Sequence, residues 1–307
     1  MSDPANVVLR FVLYMDLMLL FGVALFGLYS FKEQQRRSGT VLPFRRWLTG
    51  TAGLGALLSI AGMVLMVRAM SGESDLAELR PHLEMMLFET DVGMAWAVRM
   101  IALAVAGLAA MLTPRAPGLA LAIASTAGGI ALASLAWSGH GAMDEGSRRY
   151  WHFTTDILHL LVAGAWLGAL LAFALMAQPR ALQTEAHIRL LAHAVRRFEL
   201  VGALVVVIIT VTGVVNYLFI VGPRLDEVLL GHYGILLAIK VLLFAGMLVL
   251  AALNRFHLGP LLEQSLWEGQ YRVAAHALRR SVVVEMAAAV LIVGLVAWLG
   301  TLSPEVE

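Results

Sequence analysis

The sequence predicts an all-α membrane protein, a polytopic bundle of eight transmembrane helices. Of its 307 residues, 60% are hydrophobic and only 14% are charged, whereas soluble domains are nearer half apolar and a quarter charged. Apolar segments of about 20 residues, the length that crosses a bilayer, recur eight times. The alternating pattern of half-buried strands is absent, and in lipid a helix satisfies all of its backbone polar groups internally.

The spans are predicted at about 7–30, 46–69, 91–112, 117–138, 153–176, 198–220, 232–254 and 281–302. The longest connecting segments, 70–90, 177–197 and 255–280, are too short for a soluble domain, and the last two have the pattern of amphipathic basic helices. The chain is therefore predicted to be a single membrane domain over residues 1–307. Its N-terminus has neither a basic stretch nor a small-residue cleavage site, which predicts no cleavable signal peptide.

The distribution of Lys and Arg predicts the orientation. Fourteen of these residues lie in the loops that follow spans 1, 3, 5 and 7, and six lie on the opposite side together with most of the acidic residues. Because cytoplasmic loops carry the excess of Lys and Arg, we expect both termini on the periplasmic side of the membrane.

Composition excludes several kinds of chemistry. The chain has no cysteine, so disulfides, thiolate metal sites and cysteine nucleophiles are absent. Its net charge of +1 gives no reason to expect a nucleic-acid partner. No Walker A motif occurs, so any transport is expected to be passive or coupled to a gradient. Nine His and fifteen Met residues remain as candidate metal ligands.

One polar stripe stands out in span 5. His152, Asp156 and His159 are spaced four and three residues apart, which places them on one face of a helix. An ionisable residue inside a membrane is costly and is by default a candidate for function.

Other spans carry ionisable residues at a matching depth. At a helical rise of about 1.5 Å per residue, Asp16, Arg99, Lys240 and His159 lie about 10 to 13 Å below the outer edge. Such a layer has two interpretations: a network of ion pairs that locks the bundle, or a ligand site reached from outside. Asp16, Arg99 and Lys240 are predicted to form the charge network of this layer.

Several residues with metal-ligand chemistry are predicted at the outer ends of the spans: His82, Met85, Met86, His140, Met143 and His152. Imidazole and thioether ligands together suit copper, and we expect Asp156 to orient a ligating imidazole. Arg99 and Lys240 repel a bare metal ion and instead suit a carboxylate or the propionates of a haem.

Polar residues elsewhere are expected to have structural roles. Asn216 in span 6 and Asn254 at the inner end of span 7 are predicted to brace helices. Glu285 in span 8 is predicted to pair with Arg279 or Arg280.

The order of these motifs resembles the copper-resistance protein D family. The resemblance rests on Gly139-His140-Gly141, Asp156-x-x-His159, Trp166-x-Gly168, Arg197-Phe198, Thr212-Gly213, Asn216, Tyr233-Gly234, Lys240, Asn254-Arg255, Pro260, and Arg280 with Glu285. It covers most of the chain and is firmest over residues 137–300.

The resemblance implies a bacterial inner-membrane protein that takes copper from a periplasmic carrier of the CopC type and moves it toward the cytoplasm. The chain carries no carrier-like domain, so the carrier is expected to be a separate partner. The family also looks distantly related to a haem-binding membrane oxidase of porphyrin synthesis (HemJ).

These observations lead to one hypothesis and two alternatives. In the first, which is not an enzyme, a copper ion arrives at His82, His140, Met143 and His152 and passes to His159. The second is a haem b oxidoreductase with His159 as an axial ligand; no second buried His lies at a matching depth. The third is a scaffold that only docks the carrier.

Overall fold

The computed structural model describes residues 4–38, 42–73, 75–138, 146–222 and 231–302. Eleven α-helices occur in these ranges, and no strand does. The helices are α1 (Pro4–Ser30), α2 (Glu33–Ser38), α3 (Phe44–Ser71), α4 (Leu76–Glu89), α5 (Asp91–Ala109), α6 (Pro117–Ala133), α7 (Gly146–Met176), α8 (Glu185–Ile220), α9 (His232–Leu253), α10 (Gly259–Trp267) and α11 (Tyr271–Leu299).

Eight helical segments in these ranges are long and apolar enough to cross a membrane, which confirms the predicted fold class. They contain α1, α3, α5, α6, α7, α8, α9 and α11. The predicted amphipathic connectors are helical but partly continuous with spans. For example, α8 runs for 36 residues from Glu185, a length of about 54 Å that exceeds the roughly 30 Å hydrocarbon core.

The segment between spans 2 and 3 contains a helix that the sequence did not predict. The side chain of Asp75 caps α4 by accepting a hydrogen bond from the backbone N–H of Ala77. Thr90 then separates α4 from α5, and its hydroxyl accepts from the Gly93 N–H at 3.1 Å. These two caps satisfy N–H groups that would otherwise lack partners at the helix starts.

Helix α1 occupies the centre of the bundle. It packs against α3, α6, α7, α8 and α11, and 61% of the residues in its most apolar window are buried, against 11% in the window that contains α9. The crossing with α7 depends on glycine, since a Cβ atom on Gly22 would lie 2.0 Å from the Gly164 carbonyl oxygen and one on Gly168 would lie 2.2 Å from the Gly22 backbone. Small residues four apart on α7 therefore allow the two backbones to touch, as in other membrane helix pairs.

The periphery of the bundle is formed by α8 and α9. Helix α8 packs mainly against α7, and α9 mainly against α11, while α8 and α9 hardly contact each other. On α7, His159 and Asp156 are half-buried rather than fully enclosed.

A candidate intramembrane site between the fifth, sixth and seventh spans

His159 on α7 is oriented by a threonine of the neighbouring span. Its Nδ1 lies 2.9 Å from the hydroxyl oxygen of Thr212 on α8. The Thr212 hydroxyl donates its single hydrogen to the Ile208 carbonyl at 2.7 Å, so its oxygen is left to accept from the imidazole. His159 is therefore assigned as the Nδ1–H tautomer, with the lone pair of Nε2 available to a ligand.

Asp156 lies one turn before His159 on the same face of α7. Asn216 on α8 donates a hydrogen bond to its Oδ1 at 3.4 Å. At Nδ1 of His159 the contact is made by Thr212 and not by Asp156, and the expectation that Asp156 orients a ligating imidazole stays a prediction. The predicted bracing role of Asn216 is confirmed, and its amide oxygen remains a buried acceptor without a partner among the described residues.

Lys240 on α9 provides a cation near this pair. It interacts electrostatically with Asp156 and with His159, but Lys240 and Asp156 do not form an ion pair within 4.0 Å. Glycine at position 213 adds room, since a Cβ atom there would be 3.5 Å from Cε1 of His159. Helix α7 thus provides an imidazole and a carboxylate, α9 provides an ammonium group, and α8 provides the Thr212 and Asn216 side chains that contact the first two.

Tyr14 on α1 connects this site to the other buried cation, a role that the sequence did not reveal. It is 9% exposed and interacts electrostatically with Asp156, Arg99 and Arg10. Arg99 on α5 is buried and donates from Nε to the Ser134 hydroxyl at 2.8 Å. Electrostatic interactions thus link Lys240 with Asp156, Asp156 with Tyr14, and Tyr14 with Arg99.

Asp16 lies apart from this layer. It follows Tyr14 by two residues, which turns it to another side of α1, and its Oδ2 lies close to the backbone of Gly55 on α3. Within the described ranges Oδ2 has no hydrogen-bond partner, and Asp16 has no electrostatic interaction with Arg99 or Lys240. The structure therefore does not bring Asp16 together with the two cations.

Of the predicted outer ligands, the structure places His152 close to Asp156 and leaves His82 exposed on α4. His152 is 2% exposed, stacks on Phe219 with ring centroids 5.0 Å apart, and interacts electrostatically with Asp156. His82 on α4 is exposed. His140 and Met143 lie outside the described residues, so their part in the predicted access path stays a prediction.

The two methionines predicted near His82 have different surroundings. Met85 is 47% exposed, whereas Met86 is buried against Met63 between α3, α4 and α5. The described part of the chain contains no group of three or more His, Asp or Glu residues arranged to hold a metal ion.

A second buried carboxylate lies further along α7. Glu285 on α11 accepts hydrogen bonds from Trp166 Nε1 and from Asn254 Nδ2, each at 2.9 Å. The predicted pairing of Glu285 with Arg279 or Arg280 was wrong, because neither arginine interacts with it. The bracing role predicted for Asn254 is confirmed.

A groove with a volume of about 510 Å³ lies between α5 and α6. Its lining is apolar except for Thr126, and it includes none of the predicted site residues. It belongs to the surface that faces lipid.

The eight spans, with ionisable side chains among them, define a polytopic membrane protein. Two family models match the chain: copper resistance protein D-like, N-terminal domain, over residues 1–150, and copper resistance protein D over residues 192–299. The chain is 52% identical over all of its length to copper resistance protein D of Pseudomonas syringae pv. tomato, of which it covers 99%. It therefore belongs to the copper resistance protein D family.

Two further relatives are more distant. The chain is 28% identical to inner membrane protein YebZ of Escherichia coli (strain K12), over 84% of this chain and 86% of that protein. It is also 28% identical to copper transport protein CutJ of Bacillus subtilis (strain 168), over 82% of this chain and 46% of that protein. No solved structure matches the chain. Together with the eight spans, these relatives identify a multi-pass protein of the inner membrane.

Proposed function

We propose that this protein is a copper permease, and not an enzyme, that takes copper from a separate periplasmic carrier of the CopC type and moves it toward the cytoplasm. The proposal combines the family with the half-buried site around His159. The relatives are named for copper resistance and copper transport, and imidazole is among the ligands that suit copper.

The tautomer of His159 carries the proposal. Thr212 contacts Nδ1, so Nε2 is the nitrogen proposed to bind copper. The Asp156 carboxylate lies one turn away, and the amide oxygen of Asn216 has no partner among the described residues. One nitrogen with oxygen ligands suits Cu(II) better than Cu(I), which prefers thioethers and thiolates. Copper bound here should therefore give an electron paramagnetic resonance signal with coupling to one imidazole nitrogen, whereas a silent spectrum would contradict this ligand set.

Lys240 is proposed to favour release of the bound copper ion. In the empty protein the ammonium group compensates Asp156 across a gap of more than 4.0 Å. A copper ion that binds here neutralises the Asp156 carboxylate in place of Lys240. The Lys240 ammonium group repels this ion, so copper binding is weakened. A transporter needs such a transit site, because an ion held too tightly does not leave.

The access path is proposed to begin at the outer ends of the spans. His152 is the buried outer residue of the stripe on α7 and interacts with Asp156. His82, His140 and Met143 are proposed to receive copper from the carrier before it reaches His152. Single alanine variants of these three residues should slow uptake at low copper and leave copper binding at His159 intact.

Copper accumulation by cells tests the proposal. His159→Ala should abolish the accumulation that the wild-type protein supports, while His276→Ala, an exposed histidine on α11, should not. Both variants must reach the membrane in equal amounts, which immunoblotting of membrane fractions measures. Unchanged accumulation in a normally inserted His159→Ala variant would reject the proposed route and favour a docking scaffold.

The proposed direction needs the predicted orientation, with both termini outside. Because the chain has no native cysteine, single cysteines label cleanly. A membrane-impermeant maleimide should label Glu78→Cys in intact cells and should label Gln183→Cys only after the membrane is opened. The reverse labelling pattern would mean that the protein has the opposite orientation in the membrane.

A haem b site remains the second candidate, because of one observation. Lys240 interacts electrostatically with His159, and its ammonium group would suit a haem propionate, whereas it opposes a bare cation. Iron bound to the purified protein, with the absorption bands of a haem, would favour this candidate.

A further inference from the structure

The carboxylate of Glu285 is isolated in the bundle and held by neutral groups. Only 2% of the residue is exposed. Trp166 on α7 donates to Oε1, and Asn254 donates to Oε2, each at 2.9 Å. Neither donor carries a charge.

No cation compensates this carboxylate among the described residues. On α11 itself, His276 and Arg280 are exposed, and Arg279 does not interact with it. The charged residues on the elements packed against α11 contact other groups. These contacts are Arg10 near Gly300, Asp16 at Gly55, Arg148 with the Phe219 carbonyl, Arg149 with Asp91, Lys240 with Asp156, Arg255 over Phe256, Glu263 with Arg196, and Glu268 with Gln264.

Two oxygen atoms near Glu285 have unused hydrogen-bonding capacity. The amide oxygen of Asn254 and the hydroxyl of Ser281 are both buried without a partner among the described residues. Ser281 precedes Glu285 by four residues and so lies one turn away on the same face of α11. Asn254 begins a π-helix that runs to Leu258, a rare element that often marks functional sites.

These features suit a group that exchanges a proton. An ionised carboxylate inside a membrane without a counter-charge is costly, and two neutral donors offset only part of that cost. A protonated carboxyl needs an acceptor for its O–H, and Ser281 and the Asn254 amide oxygen offer one. A hard metal ion would need about six oxygen ligands, more than the four that these three side chains present.

We propose that Glu285 is a proton-binding carboxyl that couples copper movement to the proton gradient. The proton comes from the aqueous phase and returns to it, and no other bond changes. Trp166, which donates to Glu285, follows His159 by seven residues and so lies about 10 Å further along the same face of α7. The coupling rests on the proposed copper transport; proton binding at Glu285 does not.

Infrared difference spectroscopy tests proton binding without copper. Between about pH 5 and pH 9, the purified protein should show the carbonyl band of a protonated carboxyl, which weakens as the pH rises. Glu285→Gln should lose this band, and Glu263→Gln, on the surface of α10, should keep it. If Glu285→Gln does not fold, Trp166→Phe removes one hydrogen bond to the ionised form, so the band should persist to higher pH.

Two results would overturn the inference. The first is a spectrum in which Glu285→Gln removes no pH-dependent band. The second is a band that disappears on adding sodium at constant pH, which would indicate a metal-cation site.

Uptake into proteoliposomes tests the coupling. For one proton per copper, a pH difference of one unit should change the steady-state copper ratio about tenfold. In Glu285→Gln the ratio should not respond to the pH difference, while copper binding at His159 persists. A tenfold response that survives in Glu285→Gln would refute coupling at this residue. If the wild-type protein moves no copper at all, the proposed transport fails, and the infrared result still decides proton binding.

Discussion

Replacing Thr212 by valine should weaken copper binding without removing any ligand. Valine keeps the shape of threonine but leaves the Nδ1–H of His159 without the acceptor that now lies 2.9 Å away. A buried donor left unsatisfied costs about 1 to 3 kcal/mol, and loss of a group that orients a metal-ligating histidine typically lowers metal affinity by about 10- to 100-fold. The two estimates agree, since 1.4 kcal/mol corresponds to about a factor of ten.

The measurement is the copper affinity of the purified protein, obtained by competition with a chelator. Thr210→Val is the matched control: Thr210 lies on the same helix, is exposed, and bonds only the Val206 carbonyl of its own helix. We expect its affinity to equal that of the wild type. Wild-type affinity in Thr212→Val, or equal losses in both variants, would refute the assignment of Nε2 as the copper ligand.

Two further substitutions test the surroundings of the site. Lys240→Met should tighten copper binding and slow its release, because two unit charges about 6 Å apart interact by about 3 kcal/mol at an effective dielectric constant of about 20; weaker binding would contradict the role of Lys240. Gly55→Ala places a Cβ atom 2.6 Å from Asp16 Oδ2 and should lower stability by about 1 to 3 kcal/mol, seen as a lower melting temperature in detergent. Gly53→Ala, whose Cβ meets nothing within 4 Å, should melt like the wild type, and equal melting of both variants would rule out the clash.

The spans could be predicted from the sequence. Length and hydropathy are sufficient for them, because a membrane helix must present about 20 apolar residues. Arg99, Asp16 and His152 are buried in the bundle, and the depth calculated from the helical rise stays a prediction.

The partners of these residues could not be predicted, because a helix that is apolar on all sides does not reveal which face meets which neighbour. Asp16 therefore looked like a partner of Arg99, although it faces Gly55. Tyr14 showed no signal, since a tyrosine in a span is ordinary, and Thr212 belonged to a family motif without any indication that it contacts His159. Glu285 was assigned to nearby arginines on its own helix, whereas its donors come from residues 119 and 31 positions away in the chain.

The most direct test of the central claim is the metal content of the purified protein from copper-fed cells, with copper and iron determined together. If His159 binds copper, the wild-type protein and a His257→Ala control, altered at an exposed histidine, should carry copper near stoichiometry. His159→Ala should carry none. Iron in place of copper, or copper that remains in His159→Ala, would contradict the account.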